Sequence, residues 1–183
     1  AAGEKICARG RREFNYSIDD VIPQIKKESE LIHANSDVLI SCNVRSTTPD
    51  NVIEVSKLDC IDIVEINCHC RQKELTDIGC GQNMLIRSDL EDYICEVVDR
   101  ADSKVSVKIR ANVDGVDTLS IAKLIDDSGA DYLHVDAMNP GVDNADLDLI
   151  SEISNATDIF LIGNNSINSF SRAKSMIDAG ADG

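Results

Sequence analysis

Aromatic residues are scarce in this chain: they make up 3% of 183 residues, with three Phe, three Tyr and no Trp. Ile, Val, Leu and Ala must therefore fill the interior. Positive charge is short as well, with 18 Lys and Arg against 33 Asp and Glu, a net charge of −15. That excludes broad nonspecific binding to nucleic acid or anionic membrane and leaves room only for a local basic patch. No apolar run approaches the ~18 residues of a membrane span, and no signal-peptide core is visible, so a cytoplasmic protein is expected. No G-x-G-x-x-G opens a helix, which weighs against dinucleotide binding. A disulfide framework is also missing. The seven cysteines, Cys7, Cys42, Cys60, Cys68, Cys70, Cys80 and Cys95, are odd in number and irregular in spacing. Several lie in apolar runs, where thiols pack as small hydrophobes in a reduced chain.

What is present suffices for a core: 43% of residues are apolar, and 28% charged residues argue against disorder throughout. The length fits one domain. The chain begins Ala-Ala-Gly and stops at Gly183 in mid-pattern. A single domain over residues 1–183, incomplete at both ends and part of a longer protein, is therefore expected.

Short β-branched runs alternate with amphipathic stretches. Strands are predicted at Val38–Val44, Ile61–Cys68, Val105–Arg110, Tyr132–Ala137 and Ile159–Gly163. Helices are predicted at Ile18–His33, with Pro23 near its first turn, and at Pro49–Leu58, Asp89–Ala101, Asp117–Ser128, Asp143–Asn155 and Ser166–Ala179. Asp117 is placed to cap its helix and Gly129 to end it. The segment Asp127-Ser-Gly-Ala-Asp131 recurs as Asp178-Ala-Gly-Ala-Asp182, with Gly129 and Gly180 51 residues apart, about two βα units. Such alternation means parallel strands with helical crossovers, in a doubly wound sheet or a (βα)8 TIM barrel. The barrel reading takes five to six of its βα units from this chain.

Side chains alternate across a strand. Val105, Val107 and Ile109 share one face of the third run; Ser106, Lys108 and Arg110 share the other. The same parity groups Ser41 with Asn43, Glu65 with Asn67, and His134 with Asp136, with Asn164 after the fifth run. In a barrel the working site lies at the C-terminal ends of the strands. Asn43, Asn67, Lys108, Arg110, Asp136 and Asn164 can thus converge on one ligand, a planar heterocycle with hydrogen-bonding edges plus an anion. The competing reading pairs Lys108 with Glu65 inside the barrel. His134 reads as a satisfied core residue, and the acidic run from Asp143 to Asp148 as a solvated helix start.

After the second strand comes Ile66-Asn67-Cys68-His69-Cys70-Arg71, then Gly79-Cys80-Gly81-Gln82-Asn83-Met84-Leu85. Extra loop at a strand's C-terminal end is where function usually sits. C-x-C is tighter than ordinary zinc spacing, so no metal site is assigned. Some of these cysteines fill space. One can be a reactive acid or nucleophile, with Arg71 favouring its thiolate or holding an anionic substrate.

These residues carry a resemblance to the tRNA-dihydrouridine synthase family of flavin (βα)8 barrels, from about Val38 to Gly183. The family's I-N-x-G-C-P and G-x-G-x-x-L-L are matched by Ile66–Arg71 and Gly79–Leu85. The resemblance implies an FMN-dependent oxidoreductase reducing a pyrimidine-type ring. It implies that Cys70 protonates the ring while Asn67 and Arg110 orient it. Val107-Lys108-Ile109-Arg110 resembles V-K-x-R, whose Lys contacts flavin, and Asn43 falls where the family has a flavin-binding Gln. Gly163-Asn164-Asn165-Ser166-Ile167 resembles A-N-G-x-I, whose Asn approaches flavin. In the family's V-H-G-R the His becomes Asp136, placed at the cofactor, and the Arg becomes Met138; the Gly before the active Cys is His69. Ala181-Asp182-Gly183 resembles the start of the last strand. The implied partners are uridine in tRNA, NAD(P)H as electron donor, and a second copy of the chain as an allowed state. Three alternatives stay open: a dihydroorotate dehydrogenase-like enzyme on a free pyrimidine, a flavin-free lyase or isomerase using Lys108 and Asp136 as base, and a non-catalytic barrel.

Overall fold

The computed structural model describes residues 18–183. Cys7 and the rest of residues 1–17 lie outside the described residues. The elements alternate along the chain. Helix α1 (Ile18–His33) leads to β1 (Ser41–Val44), α2 (Pro49–Ser56) and β2 (Ile63–Cys68). A short helix α3 (Lys73–Thr76) and a 3-10 turn (Gly81–Ile86) precede α4 (Leu90–Arg100) and β3 (Lys104–Arg110). Then follow α5 (Thr118–Asp127), β4 (Tyr132–Asp136), α6 (Leu147–Ala156), β5 (Phe160–Asn164) and α7 (Phe170–Asp178).

All five strands are parallel and lie in chain order, β1-β2-β3-β4-β5. This is an arc of a (βα)8 barrel. Beyond β5, Asp182 and Gly183 donate to the Leu161 carbonyl, and Gly163 donates to Gly183, in the manner of a next parallel strand.

The outward face of the sheet is apolar. Val64, Ile66, Val107, Ile109, Leu133, Val135 and Leu161 are buried against Ile53, Ile94, Val97, Ile125, Ile150 and Ile153 of the helices. Each such side chain contributes ~1.5–3 kcal/mol by leaving water. The inward face carries the polar residues of the same parity in rows set by register. Asn43, Glu65, Ser106, Tyr132 and Phe160 form one row. Asn67, Lys108, His134 and Ile162 form the next, and Arg110, Asp136 and Asn164 the row at the C-terminal ends.

The repeated Gly-Ala-Asp has a structural job. Asp131 accepts from Val105 N (2.8 Å), and Asp182 from Leu161 N (2.8 Å). Asp62 does the same for Ile40 N (2.7 Å). Each carboxylate fixes the entry of the preceding strand, and it recurs at every second strand.

Several boundaries differ from the sequence reading. Strand β1 begins at Ser41 rather than Val38, and Val38 and Leu39 are exposed. Hydrophobicity there does not create the ladder partner that a strand needs. Helix α6 begins at Leu147 because Asp146 caps it, accepting from Leu149 N. Helix α7 begins at Phe170 because Asn165 and Ser166 have positive φ, 118° and 53°, which no helix admits. Pro23 lies beyond the first turn of α1, as its sixth residue. Asp117 caps α5 through Leu119 N and Ser120 N, and Gly129 ends it at φ 78°.

Candidate active site at the barrel mouth

Two hydrogen-bonded networks line the inner face. The lower is centred on Glu65, which is 8% exposed. Its Oε1 accepts from Asn43 Nδ2 (2.7 Å), and its Oε2 from Ser106 Oγ (3.0 Å). His134 Nδ1 lies 2.9 Å from Oε2. Burial pushes the Glu65 carboxyl up, but the bonds from His134, Asn43 and Ser106 outweigh it and hold it below the ordinary value. Glu65 is thus paired with His134, not with Lys108 as the competing reading had it. Lys108 and Glu65 sit in adjacent rows, and the imidazole reaches the carboxylate first. His134 is satisfied, as expected, but on the inner polar face of the barrel.

From Glu65 the network climbs. Asn43 Oδ1 accepts from Asn67 Nδ2 (2.7 Å). Asn67 Oδ1 accepts from the backbone N–H of His69 (3.2 Å) and of Cys70 (3.0 Å). A carboxylate acts only as acceptor, so Glu65 sets the direction of both amides. The Asn67 oxygen then shapes the turn that presents Cys70. From the other side, Gln82 N donates to Cys70 O (2.8 Å). Gly81 has φ 63°, and a Cβ there would run into the Cys70 carbonyl oxygen. The glycine-rich segment therefore exists to let its backbone close on Cys70.

The upper network joins His69, Arg110 and Asp136. His69 Nε2 is 2.6 Å from Asp136 Oδ2, and Arg110 Nη1 is 3.0 Å from the same oxygen. Arg110 Nη2 is 2.6 Å from His69 Nε2, and Arg110 Nε donates to His69 O (3.2 Å). One ring nitrogen therefore faces a donor and an acceptor. Protonated, it donates to Asp136; unprotonated, it accepts from Arg110. The hydrogen bond to Asp136, then that to Cys70, raise the His69 pKa against burial and the Arg110 charge. Burial pushes the Cys70 thiol up, but hydrogen bonds with His69 and Asn67 and the charge of Arg45 bring it below the ordinary thiol value. Arg71, expected to act on this thiol, is exposed, and the guanidinium that acts on it is that of Arg45. The Arg45 loop is pinned by Tyr93, whose hydroxyl donates to Ser46 O and Thr48 O, and by Arg87 donating to Thr47 O. Cys68, by contrast, is fully buried and its thiol is pushed up to about 12 by burial.

The structure brings Asn67, Cys70, Arg110 and Asp136 into one cluster. Asn43 stands one row below, with its amide engaged by Glu65 and Asn67. Lys108 lies between the networks and bears electrostatically on Asp136. Asn164 is beside Asp136 in register, and its Oδ1 is buried without a hydrogen-bond partner. His69, Glu65 and Arg45 were not singled out from sequence as site residues. The signal for His69 was available: two departures from the family pattern, His69 for Gly and Asp136 for His, prove to be one contact.

A family model described as dihydrouridine synthase matches residues 20–183. The chain belongs to the dihydrouridine synthase family. The uncharacterized protein MJ0144 of Methanocaldococcus jannaschii is 35% identical over 190 residues, covering 96% of this chain and 69% of that protein. Among solved structures, FabK from Thermotoga maritima overlays 87% of this chain with a TM-score of 0.58 at 16% identity. A point mutant of FabK gives a TM-score of 0.59 over the same share, at 16% identity. The chain spans 44% and 46% of those two chains, a likeness of fold alone. Within the family's barrel, the match spans both networks and the Cys70 turn.

Proposed function

We propose that this chain is the catalytic part of an FMN-dependent oxidoreductase that reduces a pyrimidine-type ring, in the manner of a tRNA-dihydrouridine synthase. The observation that carries the reading is the Cys70 turn. It hangs over the C-terminal ends of the strands, clamped by Asn67 and by the Gly81–Gln82 backbone. A general acid needs such fixed placement more than it needs strength.

The residues suit a flavin. Asn164 keeps a buried carbonyl oxygen without a partner, fit to accept from a ring N–H. Lys108 offers a cation on the same face, and Asn43 and Asp136 complete the set that would hold the cofactor. When bound, FMN supplies hydride to one ring carbon. The chain does the rest. Cys70 Sγ gives a proton to the neighbouring carbon, and Asn67 and Arg110 orient the ring. Arg110, fixed by Asp136 and the His69 carbonyl, keeps one planar face for a carbonyl-rich heterocycle. NAD(P)H would reduce the cofactor. Asp136 is engaged by His69 and Arg110 and held below the ordinary carboxylate value despite burial, which disfavours it as the base of a flavin-free lyase.

The test is a visible spectrum of the full-length protein, as purified and after added FMN and gel filtration. Retained flavin bands, followed by dihydrouridine in tRNA under NAD(P)H, are expected. A protein that stays colourless sinks the reading. Turnover of free uracil or orotate but not tRNA would redirect it to a free pyrimidine.

A further inference from the structure

We propose that His69 controls the availability of Arg110. A protonated imidazole gives its Nε2 hydrogen to Asp136 and frees Arg110 Nη2 for a ring carbonyl of the substrate, whereas a neutral imidazole accepts from Nη2 and keeps it. The observation is a doubly claimed nitrogen. His69 Nε2 lies 2.6 Å from Asp136 Oδ2 and 2.6 Å from Arg110 Nη2. An imidazole nitrogen holds either one hydrogen or one in-plane lone pair, so it serves one of these partners at a time.

The two partners do not depend on it equally. Asp136 Oδ2 also lies 3.0 Å from Arg110 Nη1 and keeps that ion pair whichever way the ring is protonated. Arg110 Nη2 has no acceptor besides His69 Nε2 among the described residues. The Arg110 and Asp136 side chains are 11% and 9% exposed, so little water reaches an idle donor. A neutral ring therefore carries its hydrogen on Nδ1 and turns the Nε2 lone pair to Arg110, which leaves all three groups met. A protonated ring cannot accept. Its Nε2–H goes to Asp136 in a charge-assisted bond, and Nη2 is left without an acceptor in the chain. Arg110 Nε stays on the His69 carbonyl (3.2 Å) and Nη1 on Asp136 throughout. The guanidinium thus gains a free donor without losing its place, and His69 is a positioning residue for it.

The charged and titratable groups around the ring are Asp136 on β4, Arg110 on β3 and Cys70 on its own turn. Lys108 of β3 bears on Asp136, and Arg45, after β1, bears on Cys70. The Asp136 bond raises the ring pKa against burial and the Arg110 charge, so the exchange falls above the ordinary imidazole value of ~6.5. A ring carbonyl as the oxygen that meets Nη2 rests on the function proposed above; the exchange between Asp136 and Arg110 does not.

The test is heteronuclear NMR of the imidazole nitrogens in the full-length protein from about pH 5 to pH 9, with the His69 signals identified by their loss in His69→Ala. As His69 loses its proton, Nε2 should take the shift of a bare nitrogen while Nδ1 keeps its hydrogen. In Arg110→Met the neutral ring should reverse, with its hydrogen on Nε2 for Asp136, and the titration midpoint should rise. Asp136→Asn should lower the midpoint, and serves if Arg110→Met does not fold. In turnover by the FMN-loaded protein, the substrate KM should rise about tenfold as pH rises through the same transition, with kcat changing less, and His69→Ala should hold KM flat. A neutral wild-type ring with its hydrogen on Nε2, or a KM unchanged across the transition, overturns the proposal. A protein that shows the exchange but retains no FMN defeats the function reading and leaves the exchange standing; flavin binding and turnover without the exchange do the reverse.

Discussion

The two inner networks differ in how completely they satisfy themselves. Around Glu65, two carboxylate oxygens meet Asn43, Ser106 and His134. Around His69, one nitrogen is claimed by both Asp136 and Arg110. The lower network orients; the upper one leaves one ring nitrogen between an acceptor and a donor. Buried polar groups are costly unless satisfied, so the lower network is a fixed part of the fold. The upper network lies at the C-terminal ends of the strands, where Asp136 and Arg110 compete for one nitrogen of His69.

The largest effect should come from the upper network. Cys70→Ala is expected to keep flavin binding but slow single-turnover reduction by pre-reduced enzyme by ~10²-fold or more. Stopped-flow decay of reduced flavin against substrate checks this, and an unchanged rate removes Cys70 from proton transfer. In the lower network, Glu65→Leu should leave Asn43, Ser106 and His134 with unmet donors and cost ~3 kcal/mol in urea unfolding. It should also loosen the Asn67 turn, so activity falls together with stability.

Acid sharpens the same contrast. Glu65 is held below its ordinary value on folding. Its contribution is therefore fully present above the unfolded pKa, ~4.3, and is lost as pH falls through the folded one. The stability of wild type minus that of Glu65→Gln should stay flat above pH ~5 and shrink below it. A difference that grows on acidification contradicts the network.

The two loop glycines give a smaller comparison. Gly81→Ala meets the Cys70 carbonyl as well as its φ of 63°, whereas Gly79→Ala, at φ 79°, meets nothing within 4 Å. The second should cost only the backbone strain of ~1 kcal/mol and the first more, with lost activity. Equal costs would mean that the loop does not close on Cys70. Smallest, Asp117→Ala should remove ~1 kcal/mol through the lost α5 cap and leave turnover unchanged, since its carboxylate bonds Leu119 and Ser120 and no residue of either network.

Much of the barrel was legible in the sequence because it is written in local patterns. Period-2 runs gave the strands and their inner face, helical spacing gave α4 and α5, and Asp117 and Gly129 marked a start and a stop. The less accurate ends, at Val38 and at residues 143–146 and 166–169, are places where hydropathy continues but a ladder partner or an allowed φ does not. The Cys70 turn was legible as a motif, and Asn67, Arg110 and Asp136 as residues of one parity.

The sequence by itself therefore determined the alternation of elements, the polar inner face and the residue types at the mouth. Only the tertiary structure decided who pairs with whom. Glu65 meets His134 69 residues away, and His69 meets Arg110 and Asp136 across 41 and 67 residues. Those contacts depend on the sideways register of three parallel strands and on how a loop folds back over their ends. No local pattern encodes either, because hydrogen bonds between neighbours in space are fixed only once the helices have packed the sheet into its arc.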